Sequence, residues 1–455
     1  MMGQFQIATN KNFSMGGYGR IGVNWSFTSG GLVGRQLNLL GMGSMGGRTE
    51  EQDYLEWVNT IHFYPKNRKA GDTTFVDFQL RIAVFSQSAQ LFGNQNTVSP
   101  GGLVFALPEM FVYARGINGT NWDAWIGNRF YRGDDVYLAD YFYFDDHSAQ
   151  GAGVRYRNTT FAAQFIGSAD TTTNLPPYFY LNIINGAPIV ENRQRVVFVG
   201  EQEWPINDRH YLKFLAEYHV IPSGENQFNT LLDTLNFPSD YGFVAGVKHK
   251  WNLPTGLPGS FNHFAARIGT RIANGGDGGS TRTWLTYGAP DEDSDRYDGA
   301  YSFSVTNHLL LNWREDLTFN GYFIYRHSRG GADTLGTAES LLGTEVFNRK
   351  DDLAIGLRGT LKITPYFHFH NEIHFSLRKD GTQDPASMIK VAFQPTLVPT
   401  GNNDYWARPE LRLVASLAVY NDFALNNQYS AYLQQAGAQR FGGFLGFRAE
   451  WWLWD

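Results

Sequence analysis

From end to end the chain repeats a two-residue period, with bulky apolar side chains on one face and Arg, Lys, Glu and His on the other. Successive side chains of an extended strand point to opposite faces, whereas helical apolar positions recur every three to four residues. The period therefore reads as strand. Leu353, Ile355, Leu357, Leu361 and Ile363 fall opposite Arg358, Thr360 and Lys362. Phe367, Phe369, Ile373, Phe375 and Leu377 fall opposite His368, His370, Glu372, His374 and Ser376. Leu411, Leu413, Leu417 and Val419 alternate with Glu410, Arg412 and Ser416, and the last segment sets Leu445, Phe447 and Leu453 against Arg448, Glu450 and Trp452. A soluble half-buried sheet also alternates, but it does not carry ionisable groups this deep inside strands this long. Runs of about 9–14 residues exceed the ~5–6 of ordinary strands and suit a tilted membrane crossing of roughly 9–11 residues plus overhang.

Read this way, eighteen strands open near Gly16, Asp53, Thr73, Glu109, Trp122, Gly151, Thr159, Arg195, Arg209, Tyr241, Phe261, Gly299, Leu317, Asp351, Pro365, Ser387, Arg408 and Arg440. An even count with alternating connector lengths is the layout of an outer-membrane barrel. Arg157-Asn158, Arg314–Asp316 and Thr364 mark tight turns, while 34–52, 274–298 and 328–350 are long Gly/Ser/Thr/Asp-rich loops. The expectation is an all-β, transmembrane, antiparallel up-and-down barrel of 18 strands over residues 1–455, a single domain with short periplasmic turns and long extracellular loops.

Composition removes other classes. Aromatic residues make up 16% of the chain and charged residues 18%, which is too aromatic for disorder and too interrupted for spanning helices. The chain has no cysteine, which excludes disulfides, thiol nucleophiles and Cys-held metals. A net charge of −6 argues against nucleic acid. No Walker, Gly-x-Ser-x-Gly or His-Glu-x-x-His motif occurs. The His368, His370, Glu372 and His374 ladder reads as polar barrel wall, because same-face residues lie roughly 6.5–7 Å apart, long for a shared ion. No cofactor, metal or enzymatic activity is expected. Met1-Met2-Gly3 opens no signal-peptide pattern, so an outer-membrane location implies a leader already removed.

If the apolar face meets lipid, parity assigns the lumen. It receives Tyr18 and Arg20, then Tyr54 and Glu56; Phe261 shares a face with His263, Arg267 and Arg271. Trp406 shares parity with Arg408 and Glu410, and Trp452 with Arg448 and Glu450. Aromatic rings on a charged inner wall suit sugars, whose C–H faces stack on rings while their hydroxyls take charge-assisted hydrogen bonds. A transport site must also release what it binds.

The segment Trp125–Asp145 (WIGNRFYRGDDVYLADYFYFD) with Gly151-Ala152-Gly153 resembles the inward-folded third loop of the maltoporin family. Tyr405-Trp406-Ala407-Arg408-Pro409, Gly17-Tyr18-Gly19-Arg20 and the Trp-rich last strand match in family order. The resemblance implies a homotrimeric channel of the Gram-negative outer membrane for facilitated diffusion of sugars such as maltodextrins, with sugar solutes and membrane lipid as its partners. It also implies an aromatic slide at Tyr18, Tyr54, Phe261, Trp406 and Trp452, and a polar track at Arg20, Glu56, Asp135 and Asp140. Arg129 and Arg132 lie in the same loop, which would form a constriction over about 129–145. The departures cluster there. The family's loop-three arginine aligns with Gly133 beside Asp134, with Arg132 as a substitute; its constriction tyrosine aligns with Phe142; its second-loop arginine falls near Pro108. Arg48 is the nearest first-loop arginine, and Phe92 the counterpart of the slide residue lent by a neighbouring subunit. A general or non-sugar porin of the same fold, or a secreted β-rich carbohydrate-binding protein or hydrolase, stand as alternatives.

Overall fold

The computed structural model describes residues 12–25, 37–66, 73–86, 103–166, 179–184, 187–192, 194–225, 236–276, 285–340 and 344–453. The first strands are β1 (Phe13–Trp25), β2 (Tyr54–Phe63), β3 (Phe75–Ser86), β4 (Leu103–Arg115), β5 (Trp122–Arg129) and β6 (Ala149–Tyr156). Next come β7 (Thr159–Ile166), β8 (Arg195–Pro205), β9 (His210–Ile221), β10 (Asp240–Asn252), β11 (Phe261–Arg271) and β12 (Tyr301–Arg314). β13 (Leu317–Arg329), β14 (Arg349–Thr364), β15 (Phe367–Asp380), β16 (Ala386–Leu397), β17 (Glu410–Tyr420) and β18 (Phe441–Leu453) complete the set. Each strand pairs antiparallel with the next, and β18 returns to β1 with Gly17 opposite Leu453 and Trp25 opposite Leu445. The result is a closed barrel of eighteen strands. Closure leaves no unpaired edge, which a sheet in hydrocarbon requires because lipid offers backbone groups no partner.

The expected strand starts agree to within three residues, except at β4, which opens at Leu103 rather than Glu109. Arg81 pairs with Glu109 and Ala83 with Ala106, so Leu107 and Pro108 together oppose Ile82. Pro108 has no N–H to give the ladder, and a bulge absorbs it without ending the strand. Residues 157–158, 315–316 and 365–366 make the tightest turns at one rim, whereas 130–148, 272–300, 330–348 and 421–440 are long connections at the other.

Burial is inverted relative to a soluble protein. Lys248, Lys390 and Arg195 are among the largest fully buried side chains. Ile355, Leu357, Ile363, Ile373, Leu411 and Phe447 are exposed on the outer face, while Arg358, His370, Glu372, Glu410 and Glu450 are buried on the inner one. The parity assigned from sequence therefore holds along β14, β15, β17 and β18. Two of the three buried histidines of the β15 ladder face separate carboxylates: His374 Nε2 lies 2.7 Å from Glu372, and His370 Nε2 lies 3.3 Å from Glu410.

The inner wall is so well covered because connections fold inward against it. The first, residues 37–53 (loop one), contains a short 3-10 turn at Gly43–Gly46, and Lys390 of β16 donates to Glu50 at 2.7 and 2.8 Å and to the Gly47 carbonyl at 2.8 Å. Two short helices between β17 and β18, α1 (Asp422–Asn426) and α2 (Ala431–Ala436), are capped by Asn421 and Ser430. They pack with Leu37 and Leu39 of loop one in one apolar cluster.

A cation on the outer face near a strand centre has no water to reach. Ile355→Lys is expected to cost about 2–4 kcal/mol of folding stability, read as a lower urea midpoint for folding into lipid vesicles, with Ile355→Leu near wild type.

Candidate functional site

The third long connection, residues 130–148 (loop three), leaves β5 and runs into the barrel. Asp135–Val136 pairs with Tyr141–Phe142 as a two-residue ribbon, and a 3-10 turn at Tyr137–Ala139 joins them. Asp140 closes that turn in the left-handed conformation, φ 43°, which Asp tolerates better than most residues. Val136, Leu138 and Ala139 at the tip are buried, packed with Met42 and Met45 of loop one. Loops normally stay at the surface, where water satisfies their backbone. Here loop one substitutes: Arg48 donates its amide to the Leu138 carbonyl at 3.2 Å and its guanidinium to the Tyr137 carbonyl at 3.2 Å.

The far side of loop three is held to the opposite wall by charge. Asp145 takes Lys213 of β9 at 2.7 Å and Lys248 of β10 at 3.3 Å, and Asp134 takes Lys248 at 3.2 Å and Lys250 at 2.6 Å. His147 Nε2 meets Glu217 at 2.9 Å, and the Tyr131 hydroxyl donates to Glu201 at 2.5 Å. Burial alone would raise the Asp134 and Asp145 carboxyls, but the lysines outweigh it and hold both well below the usual carboxylate range. Gly133 sits against the Asp145 carboxylate, so a side chain there would collide with it. A larger residue there would have to displace that carboxylate from Lys213 and Lys248. Arg132 stands face-on between Phe130 and Phe142, its guanidinium 4.2 and 3.8 Å from the ring centres.

Between loop three and the wall lies a cavity of about 1250 Å³. Tyr18, Tyr54, Trp452, Phe142, Arg20, Glu56, Arg129, Arg132, Asp135 and Asp140 all line it. The rings follow one another on neighbouring strands. Phe85 and Tyr54 stand 6.0 Å apart at the long-loop rim, and Tyr54 and Tyr18 are 5.9 Å apart. Tyr18 is the cross-strand partner of Trp452, and Trp452 is 5.9 Å from Trp406 at the short-turn rim. Trp406 precedes β17 and does not itself line the cavity; it extends the line through Trp452. Phe261 is the exception. It lies on β11, across the barrel, stacked 4.3 Å from His263 and edge-on to His308 at 5.1 Å.

Polar groups run beside these rings. Arg20 meets Glu51 at 3.0 Å, Arg48 meets Glu51 at 2.7 Å, and Arg81 bridges Glu56 at 2.5 Å and Glu109 at 2.6 Å. Glu450 joins the elements: it accepts from Tyr18 at 2.9 Å, Tyr137 at 2.5 Å and Arg412 at 2.6 Å, with Arg408 at 3.5 Å and Arg48 at 3.8 Å. Burial, then the neighbouring Asp140 charge, push the Asp135 carboxyl up to about 7.

Several members escaped the sequence reading. Phe85 shares parity with Gln79 and Arg81, a signal that was present. Tyr137 meets Trp406 and Trp452 edge-on at 5.7 and 6.0 Å, but its position depends on the loop path, which alternation does not encode. Arg48, named from the sequence as the nearest first-loop arginine, likewise owes its position to the path of its loop. Phe92 lies outside the described residues.

A closed barrel with lipid-type residues outside, ionisable residues inside and a lumenal cavity beside inward-folded loops defines a porin, a channel of the Gram-negative outer membrane. The LamB porin family model matches residues 13–453, and the chain belongs to that family. Among solved structures the chain is similar to OccK8 (OprE) of Pseudomonas aeruginosa, at 12% identity and TM-score 0.45 over 99% of each chain. It is similar also to Wzi of Escherichia coli, at 11% identity and TM-score 0.41 over 95% of this chain and 83% of that one. OmpF of Salmonella typhi matches at 12% identity and TM-score 0.40 over 98% and 100%.

Two outcomes follow from these ion pairs. As pH rises through about 7, Asp135 ionises and adds a negative charge to the cavity, so cation preference is greater at high pH and falls as the proton returns. Reversal potentials under a KCl gradient, taken between about pH 5.5 and about pH 8.5, should show this step, and Asp135→Asn should hold the low-pH value throughout. Glu50→Ala leaves Lys390 buried without its carboxylate, a loss on the order of 3–5 kcal/mol, expected to free loop one and appear as protease sensitivity near Gly47 and a larger, noisier conductance.

Proposed function

We propose that the protein is a passive channel for saccharides, which bind along the rings of Phe85, Tyr54, Tyr18, Trp452 and Trp406 while exchanging hydrogen bonds with the charged groups beside them. The line of rings on adjacent strands carries this reading. Each ring offers a sugar face somewhere to rest; Phe85 and Tyr54, Tyr54 and Tyr18, and Trp452 and Trp406 stand about 6 Å apart, and Tyr18 and Trp452 are cross-strand partners. Arg20, Arg48, Glu56, Asp135 and Asp140 supply donors and acceptors within the same cavity. Because Arg20, Arg48 and Glu56 are already engaged with protein partners, a sugar hydroxyl exchanges bonds with them rather than gaining them outright, which keeps binding shallow. Phe142, Arg129 and Arg132 would shape the narrow part, and Phe261 would serve a sugar only at the far wall near the short-turn rim. Loop three is the constriction. Ions pass when no sugar occupies the cavity, no covalent step or cofactor is involved, and the maltoporin resemblance supports a homotrimer.

Planar-bilayer conductance tests the reading. A malto-oligosaccharide is expected to block ion current in a concentration-dependent way. Tyr54→Ala should weaken block roughly threefold to tenfold, the worth of about 0.5–1.5 kcal/mol of ring contact, while Tyr54→Phe keeps the ring and most of the block. Current indifferent to every sugar would make this a general diffusion porin.

A further inference from the structure

The cations around the cavity differ in one respect. Arg81 faces Glu56 and Glu109, Lys250 faces Asp134, and Arg155 faces Glu203. Arg129 and Arg132 line the same cavity yet have no carboxylate within ion-pair distance among the described residues. Their neighbours are rings. Arg132 is held between Phe130 and Phe142, and Arg129 stands 5.1–5.5 Å from the ring centres of Phe111, Tyr113, Trp125 and Tyr131. Ring faces hold a guanidinium plane without consuming its in-plane N–H donors, which match a carboxylate or similar oxyanion in two parallel hydrogen bonds. Two guanidinium groups packed on rings, with no carboxylate at ion-pair distance among the described residues, stand beside the ring line with donors suited to an anion.

We propose that the preferred solute is an acidic oligosaccharide, its rings on Tyr54 and Tyr18 and its carboxylate on Arg132, with Arg129 providing the next position. This rests on the saccharide reading above and adds the substrate's charge. The Arg132 charge acts on both Tyr54 and Asp135, so the ring line and the cation are near neighbours. Burial and the Asp140 charge push the nearby Asp135 carboxyl up to about 7, so near neutrality it offsets only part of the Arg132 charge. A neutral sugar would leave both arginines unmatched.

The test is a matched pair in planar bilayers: trigalacturonate and its uncharged methyl ester. For the wild type, trigalacturonate should half-block the current at a concentration about tenfold lower than the ester. That advantage should vanish in the Arg129→Gln/Arg132→Gln double variant and survive in part in Arg132→Lys, each confirmed as folded by heat-modifiable gel mobility. Independently of any variant, it should shrink between ~0.1 M and ~1 M KCl as the screening length falls from ~10 Å to ~3 Å. If the ester blocks as well as the acid, the inference is overturned and the saccharide channel stands. If the advantage persists in the double variant, the assignment to these arginines is overturned. If neither compound nor any neutral oligosaccharide blocks, both readings fail together.

Discussion

Lipid cannot hydrogen-bond, and everything else in this molecule follows from that. Eighteen strands must each be paired on both sides, which only a closed ring achieves. Ionisable side chains near strand centres must then turn inward. The interior becomes the polar phase and the outer surface the apolar one, so Lys390 and Glu450 are fully buried while Phe447 faces out.

Crowding charges inside creates a second demand. A buried charge is costly unless paired, and breaking the pair costs more than never having made it. The barrel wall does not meet this demand alone; the inward loops complete it. Loop one brings Glu50 to Lys390 and Arg48 toward Glu450, and loop three brings Asp134 and Asp145 to the lysines of β9 and β10. Glu450 gathers β1, β18, the start of β17 and both loops onto one carboxylate. These pairs position the loops, and the space they leave is the cavity. Arg129 and Arg132 stand outside this scheme, held by rings instead.

Much of the fold was legible because strand parity is a local property. The alternation around Ile355 and Arg358 placed both residues on their faces without knowledge of any neighbour. Tyr18, Tyr54 and Trp452 were assigned to the lumen in the same way, and all three line one cavity. The reading failed where the backbone leaves the two-residue period. At β4 the expected opening at Glu109 falls six residues late, because a bulge at Leu107 and Pro108 carries the ladder on to Leu103. Loop one showed no alternation at all, so its inward path and Arg48's place beside Tyr18, with their 2.8 Å hydrogen bond, were invisible. Phe261 has the lumenal parity and stands on β11, across the barrel from the other rings: parity says which face, not which sector of the ring.

By itself, then, the sequence determined the barrel, its strand number and which side of each strand meets lipid, because a two-residue period is written residue by residue. The tertiary structure decided which lumenal residues become neighbours. Ring closure put Trp452 beside Tyr18, and buried ion pairs drew two loops inward. Gly133 came to lie against the Asp145 carboxylate, and Arg132 between Phe130 and Phe142. These are contacts between distant parts of the chain, set by charge pairing in a confined space, and no local pattern encodes them.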